Sequence, residues 1–292
     1  MKGGKDMAEK NYRAELVGVF GDPVDGNPTG VIEEAAFAAA GLNWRYITCK
    51  VDVKDLGGAI RGMKAMNMRG VNLTMPHKIA VLEYLDELTE AAGIIGAVNT
   101  VVCREDGTLL GDNTDGKGFV RALDDERIDF AGKTVTMLGA GGAARSICVE
   151  CALRGVKRIH IINRNTARGN DLAALIRGKT SADADYLPWN GAAAIPSDTD
   201  ILINGTCVGL FPDIGACPDI DFGTVTKDMI VCDVVFNPVM PEFLKRAEAI
   251  GARVIPGIGM LVNQAAFNFE LWTGKKADKR VMMDALVKEF QG

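Results

Sequence analysis

Three short polar clusters in the first half of the chain combine residue types that could move a proton. They are residues 72–78, 96–100 and 111–116, and each lies at a strand end or in a loop, where functional sites tend to be built. A Lys and an Asp brought together can share a proton, and reduction of a ketone needs a proton for the oxygen as hydride reaches the carbon. We therefore predict Lys78 and Asp115 as a proton-transfer pair. The alternative is an exposed Lys after Pro-His and an Asp in an ordinary Asn-Thr-Asp-Gly turn or helix cap.

A glycine-rich segment in the second half predicts a dinucleotide site. Gly139, Gly141 and Ala144 match the G-x-G-x-x-G/A pattern, between an apolar strand at 133–138 and a helical stretch that leads to a second strand at 158–162. The two glycines permit a tight turn and close approach of a pyrophosphate, and the small third residue lets the helix pack on the strand. The helix N-terminus then favours phosphate charge. A lone glycine pattern can be a structural turn, but this strand-loop-helix-strand context favours a cofactor.

The end of the second strand indicates the form of the cofactor. NAD sites usually place Asp or Glu there to bind the ribose hydroxyls, whereas this chain has Asn163-Arg164-Asn165 followed by Arg168. A guanidinium can bind a 2′-phosphate through two hydrogen bonds, and an acidic residue would repel it. We therefore predict NADP(H), with solvated surface arginines as the alternative.

Alternating strand and helix patterns predict the fold class, a two-domain α/β protein. It would combine a Rossmann NADP-binding domain at 117–255 with a mostly parallel α/β substrate domain at 1–116, completed by 256–292. Predicted strands are 15–20, 44–49, 70–74, 133–138, 158–162, one from 201, 229–236 and 253–255, and predicted helices are 35–40, 55–66 and 257–272. The last helix is expected to cross back and pack on the first domain.

The bulk composition limits the classes of partner. The chain has 292 residues, 48% hydrophobic and 24% charged, with a net charge of −5 and no basic stripe, which argues against a nucleic-acid partner. No apolar stretch approaches the roughly 18 residues of a membrane helix, and the polar N-terminus lacks a signal-peptide pattern, so we predict a cytoplasmic protein with no membrane partner. A small-molecule substrate is expected, and the sequence leaves a homodimer open.

Cysteines and histidines offer little support for other chemistry. Seven scattered cysteines predict reduced thiols, and the C-x-x-C of Cys148 and Cys151 falls in a predicted helix. We predict no metal site, because the two histidines have no spaced ligand partners. His77 adjoins Lys78 and could shuttle a proton, although we favour no direct role, and His160 is expected on a core strand.

Together these segments resemble the shikimate dehydrogenase family in order along nearly the whole chain. Residues 72–78 are similar to the family segment N-V-T-x-P-x-K, residues 96–100 to G-A-x-N-T, and residues 111–118 to G-x-N-T-D-x-x-G. The GAGGAA loop, Asn163-Arg164 with Arg168, Asn204-Gly205-Thr206 and the GMLVNQ segment at 259–264 follow in family order.

The resemblance implies a reversible NADPH-dependent reduction of 3-dehydroshikimate to shikimate, with Lys78 and Asp115 as the catalytic dyad. The expected substrate contacts are polar groups able to bind ring hydroxyls or a carboxylate: Asn27, Thr29, Thr74, Asn99 and Gln264. The expected cofactor contacts are Gly139, Ala140, Gly141, Gly142, Ala143, Asn163, Arg164, Arg168, Thr206 and Gly259.

One end of the implied substrate site departs from the family pattern. Asn27 and Thr29 stand where the family has the S-x-S pair that holds the substrate carboxylate, Phe236 replaces a Tyr, and Pro241 replaces a Thr. Thr keeps a hydroxyl and Asn can donate through its amide, so carboxylate binding remains open. Loss of the Tyr hydroxyl removes a donor to a charged group, an effect of about 1.5 to 3 kcal/mol and roughly tenfold or more in affinity.

Three functional hypotheses follow. The first is shikimate dehydrogenase. The second is a dehydrogenase of the same family that acts on quinate, an aminoshikimate or another cyclic polyol or its ketone. The third is a metabolite-sensing module without turnover, against which the Lys78–Asp115 pair argues, because a sensor does not need a proton-transfer pair.

Overall fold

The computed structural model describes residues 12–291. The first eleven residues, which include the polar segment that lacks a signal-peptide pattern, and Gly292 lie outside the described residues. The described chain forms two six-stranded sheets, one from each half, and a separate two-stranded ladder. Within residues 12–291, no helix combines the length and the apolarity needed to span a membrane.

The first half of the chain builds a mixed sheet. Its elements are β1 (Glu15–Gly21), α1 (Thr29–Ala39), β2 (Trp44–Lys50), α2 (Leu56–Ala65), β3 (Gly70–Leu73), α3 (His77–Ala80), β4 (Glu87–Leu88), α4 (Glu90–Ile95), β5 (Thr100–Cys103), β6 (Leu109–Asp112) and α5 (Thr114–Asp125). The strand order is β2-β1-β3-β5-β6-β4. β5 is antiparallel to its neighbours β3 and β6, and the remaining pairs are parallel. The antiparallel β5–β6 pair follows from the short turn that joins the two strands.

The second half builds a parallel sheet with Rossmann order. Its elements are β7 (Thr134–Leu138), α6 (Gly142–Leu153), β8 (Arg158–Asn163), α7 (Thr166–Lys179), β9 (Asp183–Pro188), β10 (Ala193–Ala194), β11 (Ile201–Asn204), β12 (Ile220–Asp221), β13 (Ile230–Asp233), α8 (Glu242–Ile250) and β14 (Arg253–Ile255). The order is β14-β13-β11-β7-β8-β9, with every pair parallel. The loops after β7 and β11 therefore adjoin where the strand order reverses, which is where such sheets bind ligands.

Two C-terminal helices return to the first sheet, as predicted for the first of them. They are α9 (Ile258–Thr273) and α10 (Lys279–Gln291). α9 shares a core with β1 and α1, in which the rings of Phe37 and Phe269 stack with centroids 5.5 Å apart. The fold class is thus the predicted one, with a parallel Rossmann sheet and a mostly parallel substrate-side sheet.

Helix α5 lies between the two halves and touches helices of both. A Cβ at Gly116 would lie 2.4 Å from the backbone oxygen of Ser146 in α6, and a Cβ at Gly118 would lie 2.7 Å from backbone atoms of Met260 and Gln264 in α9. Glycine at these two positions lets the three helices approach closely. The start of α5 is therefore held against both the cofactor-side helix and the returning helix.

Two predicted boundaries were wrong for local reasons. α1 begins at Thr29 rather than at residue 35, and the Thr29 backbone N–H donates to Asn27 Oδ1 at 3.0 Å in the turn just before the helix. β13 ends at Asp233 rather than at residue 236, because the Asp233 carboxylate accepts from the Val235 N–H and bends the chain away from the sheet. Cys148 and Cys151 lie buried in α6, as predicted.

Candidate active site

A cavity of about 430 Å³ lies between the two sheets and is lined by the predicted substrate residues. Strand ends of the first sheet, the starts of α5 and α6, the loops after β11 and β13, and α9 surround it. Its lining residues include Asn27, Thr29, Asn72, Thr74, Lys78, Asn99, Asp115, Gly142, Ala143, Thr206, Phe236, Met260 and Gln264. All five predicted substrate residues and both members of the predicted dyad therefore meet in one cavity.

Lys78 and Asp115 form a direct ion pair at the cavity wall. Lys78 Nζ donates to Asp115 Oδ2 at 2.6 Å, although the two residues are far apart in sequence. Both side chains are partly exposed, at 32% for Lys78 and 19% for Asp115, so a ligand can reach them. Because Asn113 caps α5 and accepts from the Asp115 N–H, the first helical turn directs Asp115 to the cavity.

Asn99 holds the second oxygen of Asp115. Its Nδ2 donates to Asp115 Oδ1 at 2.8 Å, and its Oδ1 accepts from the Thr114 N–H at 2.8 Å. Asn99 is buried immediately before Thr100, the first residue of β5. Hydrogen bonds at both ends of its amide fix its side-chain rotamer. Asp115 is consequently oriented by one cation and one amide, and both partners also face the cavity.

A buried polar network extends from this end towards α9. Thr100 and Thr114 both donate to Asn268 Oδ1, at 2.8 and 2.9 Å, and Asn268 Nδ2 donates to Gln264 Oε1 at 3.3 Å. Buried polar groups that satisfy one another hold a single arrangement. Gln264 is therefore presented to the cavity in a fixed orientation, able to bind a hydroxyl.

The opposite end of the cavity has few charged or hydroxyl groups. Asn27 uses Oδ1 to start α1, so its amide nitrogen is the group that can donate to a ligand, and Thr29 is 6% exposed. Phe236 presents a ring that stacks on Phe290 of α10, with centroids 5.8 Å apart. Among the described residues that line the cavity, Lys78 is the one cation, and Asp115 already pairs with it.

A buried acid stands behind this end of the cavity. Glu33 lies one helical turn after Thr29 on the buried face of α1, and neither of its carboxyl oxygens has a hydrogen-bond partner among the described residues. Burial raises the pKa of Glu33 well above its ordinary value. Burial, with a further contribution from Glu33, also raises the pKa of Tyr46, whose hydroxyl donates to Asn72 at 2.8 Å.

The glycine loop leaves the space that a dinucleotide needs. Gly139 has φ of +102°, and a Cβ there would lie 2.9 Å from Thr206, so the loop requires glycine. A Cβ at Gly141 or Gly142 would meet no described atom within 4 Å, which leaves open space in front of the N-terminus of α6. Gly142, Ala143 and Thr206 line the main cavity, and Ala140 lies in the loop between the glycines.

A second cavity of about 300 Å³ adjoins the first at Thr206. Asn163 and Arg164 line it, as expected for the residues that follow β8, together with Trp189 and Asp219. Both cavities therefore border the loop after β11, and together they give a dinucleotide a path from α6 to the end of β8. Arg164 is exposed and can reach a phosphate there.

The loop after β11 is fixed by a buried carboxylate. Asp233 Oδ1 accepts from Asn204 Nδ2 at 3.0 Å, and Asn204 Oδ1 accepts from the Thr206 hydroxyl at 2.7 Å. Burial raises the pKa of Asp233 to about 7, against the lowering effect of hydrogen bonds from Val235, Asn204 and Val234. Asp233 thus aligns the loop that borders both cavities.

Two predicted cofactor residues, Gly259 and Arg168, and both histidines do not line either cavity. Gly259 faces Ala122 of α5, and the backbone N–H of exposed Arg168 donates to Asn165 Oδ1 at the start of α7. His77 is fully buried, with Nε2 2.7 Å from the Val51 carbonyl oxygen, which agrees with no direct role. His160 lies buried on β8 between Asp185 and Asp198, as expected for a sheet residue.

Several residues at the site were not singled out from the sequence. Asn72 lay within a recognised motif and lines the main cavity, so its motif was the available signal. Trp189 and Asp219 line the second cavity from loops that carry no pattern of their own. Their contribution depends on how those loops fold back over the Rossmann sheet.

Comparisons with known proteins agree with this geometry. Three family descriptions match successive parts of the chain: "Shikimate dehydrogenase substrate binding domain" at residues 19–101, "Shikimate / quinate 5-dehydrogenase" at 122–208 and "Shikimate 5'-dehydrogenase C-terminal domain" at 257–287. Shikimate dehydrogenase (NADP(+)) of Desulforamulus reducens is 41% identical over 282 residues, which cover 96% of this chain and 97% of the relative.

Solved structures give the same family and add another activity. Ligand-free 5-ketofructose reductase of Gluconobacter sp. strain CHM43 has a TM-score of 0.92 and 46% identity, covering 96% of this chain and 100% of its own. Shikimate 5-dehydrogenase from Listeria monocytogenes, in complex with shikimate and NAD, has a TM-score of 0.88 and 34% identity, covering 97% of this chain and 100% of its own.

These matches confirm the predicted fold, the oxidoreductase class and the cofactor NADP(H). Their coverage extends over both sheets and the returning helix. The chain therefore belongs to the shikimate dehydrogenase family.

Proposed function

We propose that this protein is an NADPH-dependent reductase of a polyhydroxylated ketone, and that Lys78 and Asp115 carry its proton transfer. The observation that carries the proposal is the 2.6 Å ion pair between them at the wall of the main cavity. The N-terminus of α6 and the Gly205-Thr206 loop border the same cavity, so the pair and the cofactor region share one space.

The proton step follows from the positions of these groups. A carbonyl oxygen within hydrogen-bond distance of Lys78 Nζ can take a proton from the ammonium as negative charge develops on it. The Asp115 carboxylate accepts a hydrogen bond from Lys78 and stabilises its ammonium form, while Asn99 holds the other carboxylate oxygen in place. After the transfer, the Lys78 amine regains a proton from solvent. In the reverse direction the same pair removes the proton from the alcohol.

The residues fit NADP(H), which supplies the hydride when bound. Gly139, Gly142 and Ala143 would receive the pyrophosphate at the start of α6, and Arg164 would hold the 2′-phosphate. Thr206, which donates to Asn204, would contact the cofactor where the two cavities adjoin. Closure of the two sheets over both ligands would exclude water from the reacting atoms.

We further propose a substrate that lacks a carboxylate, with 5-ketofructose as the representative compound. The cavity has a single cation among its described lining residues, and that cation is engaged by Asp115 at the reacting end. A carboxylate at the other end would meet the aromatic ring of Phe236 and no cation among the described lining residues. Hydroxyl groups would instead be matched by the neutral donors and acceptors of Asn27, Thr29 and Gln264.

The 5-ketofructose reductase of Gluconobacter supports this substrate class. It is 46% identical to this chain, above the 41% of the shikimate dehydrogenase of Desulforamulus reducens. A keto-sugar offers several hydroxyls and a reducible carbonyl without a carboxylate, which suits both ends of the cavity.

Shikimate is the second candidate, and the numerous curated shikimate dehydrogenases favour it. Asn27 and Thr29 retain an amide and a hydroxyl, each of which could donate one hydrogen bond to a carboxylate. Quinate, an aminoshikimate and other cyclic polyols stay predictions of the same kind. A sensing module without turnover is disfavoured by the Lys78–Asp115 geometry.

The test is the rate of NADPH oxidation with 5-ketofructose, 3-dehydroshikimate and 3-dehydroquinate, followed by absorbance, with Lys78→Ala as the inactive control. We expect turnover of the keto-sugar that the variant abolishes. Efficient turnover of 3-dehydroshikimate alone would establish the second candidate. Absence of NADPH oxidation with every compound would contradict the proposal of a reductase for this substrate class.

Other expectations stay predictions. They are the division into domains at 1–116 with 256–292 and at 117–255, the remaining cofactor contacts, the cytoplasmic location and a homodimer.

A further inference from the structure

A serine on the cofactor-side helix braces the start of the helix that carries Asp115. Ser146 lies in the second turn of α6 and is fully buried. Its hydroxyl donates to Asn113 Oδ1 at 2.7 Å and accepts from the Gly116 N–H at 2.8 Å. These two partners stand on either side of Thr114 and Asp115.

The hydrogen bonds of Ser146 satisfy polar groups at the N-terminus of α5 that have no partner within the helix. The first N–H groups of a helix have no partner within it, and the Gly116 N–H is one of them. Asn113 Oδ1, which accepts from Ser146, also accepts from the Asp115 N–H at 3.3 Å. Asn113 Nδ2 donates to the Ala97 carbonyl at 3.0 Å, so the same amide ties α5 to the segment before Asn99.

The close packing of α5 on α6 leaves no space for another group to replace the Ser146 hydroxyl. A Cβ at Gly116 would lie 2.4 Å from the Ser146 backbone oxygen, so the two helices touch at their backbones. Ser146 is 0% exposed, and water cannot easily take the place of its hydroxyl. Its removal would leave a buried donor and weaken the hold on a shared acceptor, which shifts the helix start.

We infer that Ser146 is a positioning residue that sets Asp115 against Lys78 from the helix whose N-terminus faces the cofactor. The inference rests on the proposed function, because it requires Asp115 to be half of the proton-transfer pair. Through Ser146, helix α6 then connects the glycine loop at its N-terminus to the start of α5, which carries Asp115. Ser146 does not line the cavity, so it acts only through Asn113 and Gly116.

The experiment compares Ser146→Ala with Cys148→Ala. Both residues are fully buried in α6, and each substitution removes one side-chain atom, but Cys148 packs in the apolar core. We expect Ser146→Ala to lower kcat by about tenfold, because small misplacements of reacting groups have large effects on rate. The KM for NADPH should change by less than about threefold, and Cys148→Ala should leave kcat within about twofold.

A pH profile separates positioning from general destabilisation. We expect Ser146→Ala to shift the apparent pKa of the kcat profile, whereas Cys148→Ala leaves it in place at comparable melting temperature. If Ser146→Ala does not fold, Ser146→Cys keeps the side-chain volume with a weaker donor and should show the same kcat loss. A kcat within twofold of wild type in the folded serine variants, or an equal loss in Cys148→Ala, would overturn the inference.

Lys78→Ala and Asp115→Asn in the same assay distinguish the two claims. If these variants retain full turnover, the proposed proton-transfer pair fails. If they are inactive while Ser146→Ala is normal, the pair stands and only the positioning role fails.

Discussion

The two ends of the main cavity differ in how tightly the fold controls them. At the reacting end, Lys78, Asp115 and Asn99 form a closed set of hydrogen bonds supported by buried Thr100, Thr114 and Asn268. At the other end, which we call the anchor end, Asn27, Thr29 and Phe236 face the cavity without an ion pair. Under the proposed function, the reacting end carries out the proton transfer and the anchor end selects the molecule that is reduced.

The substrate preference of this fold can therefore change while the groups proposed to transfer the proton stay the same. Proton transfer requires two titratable groups at a fixed distance, so the reacting end tolerates little change. Binding of the distant part of a substrate requires only matched donors and acceptors, so neighbouring loops and helix starts can change it. Substitutions at the two ends should therefore have separate effects on rate and on substrate preference.

Removal of either member of the pair should nearly abolish turnover. Lys78→Ala and Asp115→Asn should each lower kcat by about 10² to 10⁴-fold, because general acid–base catalysis contributes that much. Steady-state kinetics with NADPH and the keto-sugar measures the loss. Lys133→Ala breaks a partly exposed ion pair with Asp200 at 3.2 Å and should leave kcat unchanged. Comparable losses in all three variants would contradict a special role for the pair.

Restoring hydroxyls at the anchor end should change the preferred substrate. A variant combining Asn27→Ser, Thr29→Ser and Phe236→Tyr should raise kcat/KM for 3-dehydroshikimate by about tenfold or more, since donors to a charged group contribute about 1.5 to 3 kcal/mol. The Tyr ring can still stack on Phe290. The ratio of kcat/KM for 3-dehydroshikimate and 5-ketofructose measures the change, and an unaltered ratio would break the comparison between the ends.

Loss of the predicted phosphate contact should reduce the preference for NADPH. Arg164→Ala should raise the KM for NADPH by about tenfold while the KM for NADH changes little, because a charge-assisted hydrogen bond to the 2′-phosphate is lost. Arg168→Ala is the matched control, because Arg168 does not line the second cavity and should have the smaller effect. The reverse ranking of the two variants would assign the phosphate to Arg168.

A buried carboxyl behind the β11 loop should make stability fall as pH rises. Burial raises the pKa of Asp233 to about 7 in the folded protein, whereas an unfolded Asp titrates near 4. Between these values the folded state binds the additional proton, so the folded protein loses stability as pH rises through that window. Asp233→Asn should remove the loss, and its melting temperature relative to wild type should increase by a few degrees from pH 5 to pH 8.

Exposed Asp228 provides the control for that measurement. Asp228→Asn should show no such pH-dependent difference, because its carboxylate is exposed to solvent. A constant difference between Asp233→Asn and wild type across the range would mean that Asp233 is ionised in the folded protein throughout.

The reacting end could be predicted from the sequence because its residues occur in short, contiguous motifs. Lys78 and Asp115 each stand at a strand or helix start, and parallel topology then brings such ends together. The glycine loop was predictable for the same reason. The anchor end was predictable only as a departure from a family pattern, since Asn27 and Phe236 do not themselves indicate a ligand.

The remaining features depend on packing between distant segments. Ser146 becomes a brace only because Gly116 allows α5 and α6 to touch. Glu33 appears in sequence as an ordinary polar residue of an amphipathic helix, and its burial depends on α1 being covered by α10 and β2. β4, β5 and β6 were not predicted, because they have only two to four residues each and their places in the sheet are set by pairing with distant strands.

The most direct test of the central claim is calorimetric binding of shikimate and of its methyl ester to the enzyme–NADPH complex, in which neither compound can be turned over. The two ligands differ at the carboxyl group alone, where the ester carries a methyl group in place of the negative charge. We expect the ester to bind as tightly as the acid within about threefold, because the described residues of the anchor end include no cation that could pair with a carboxylate. Binding of shikimate tighter than the ester by tenfold or more, about 1.4 kcal/mol, would contradict it.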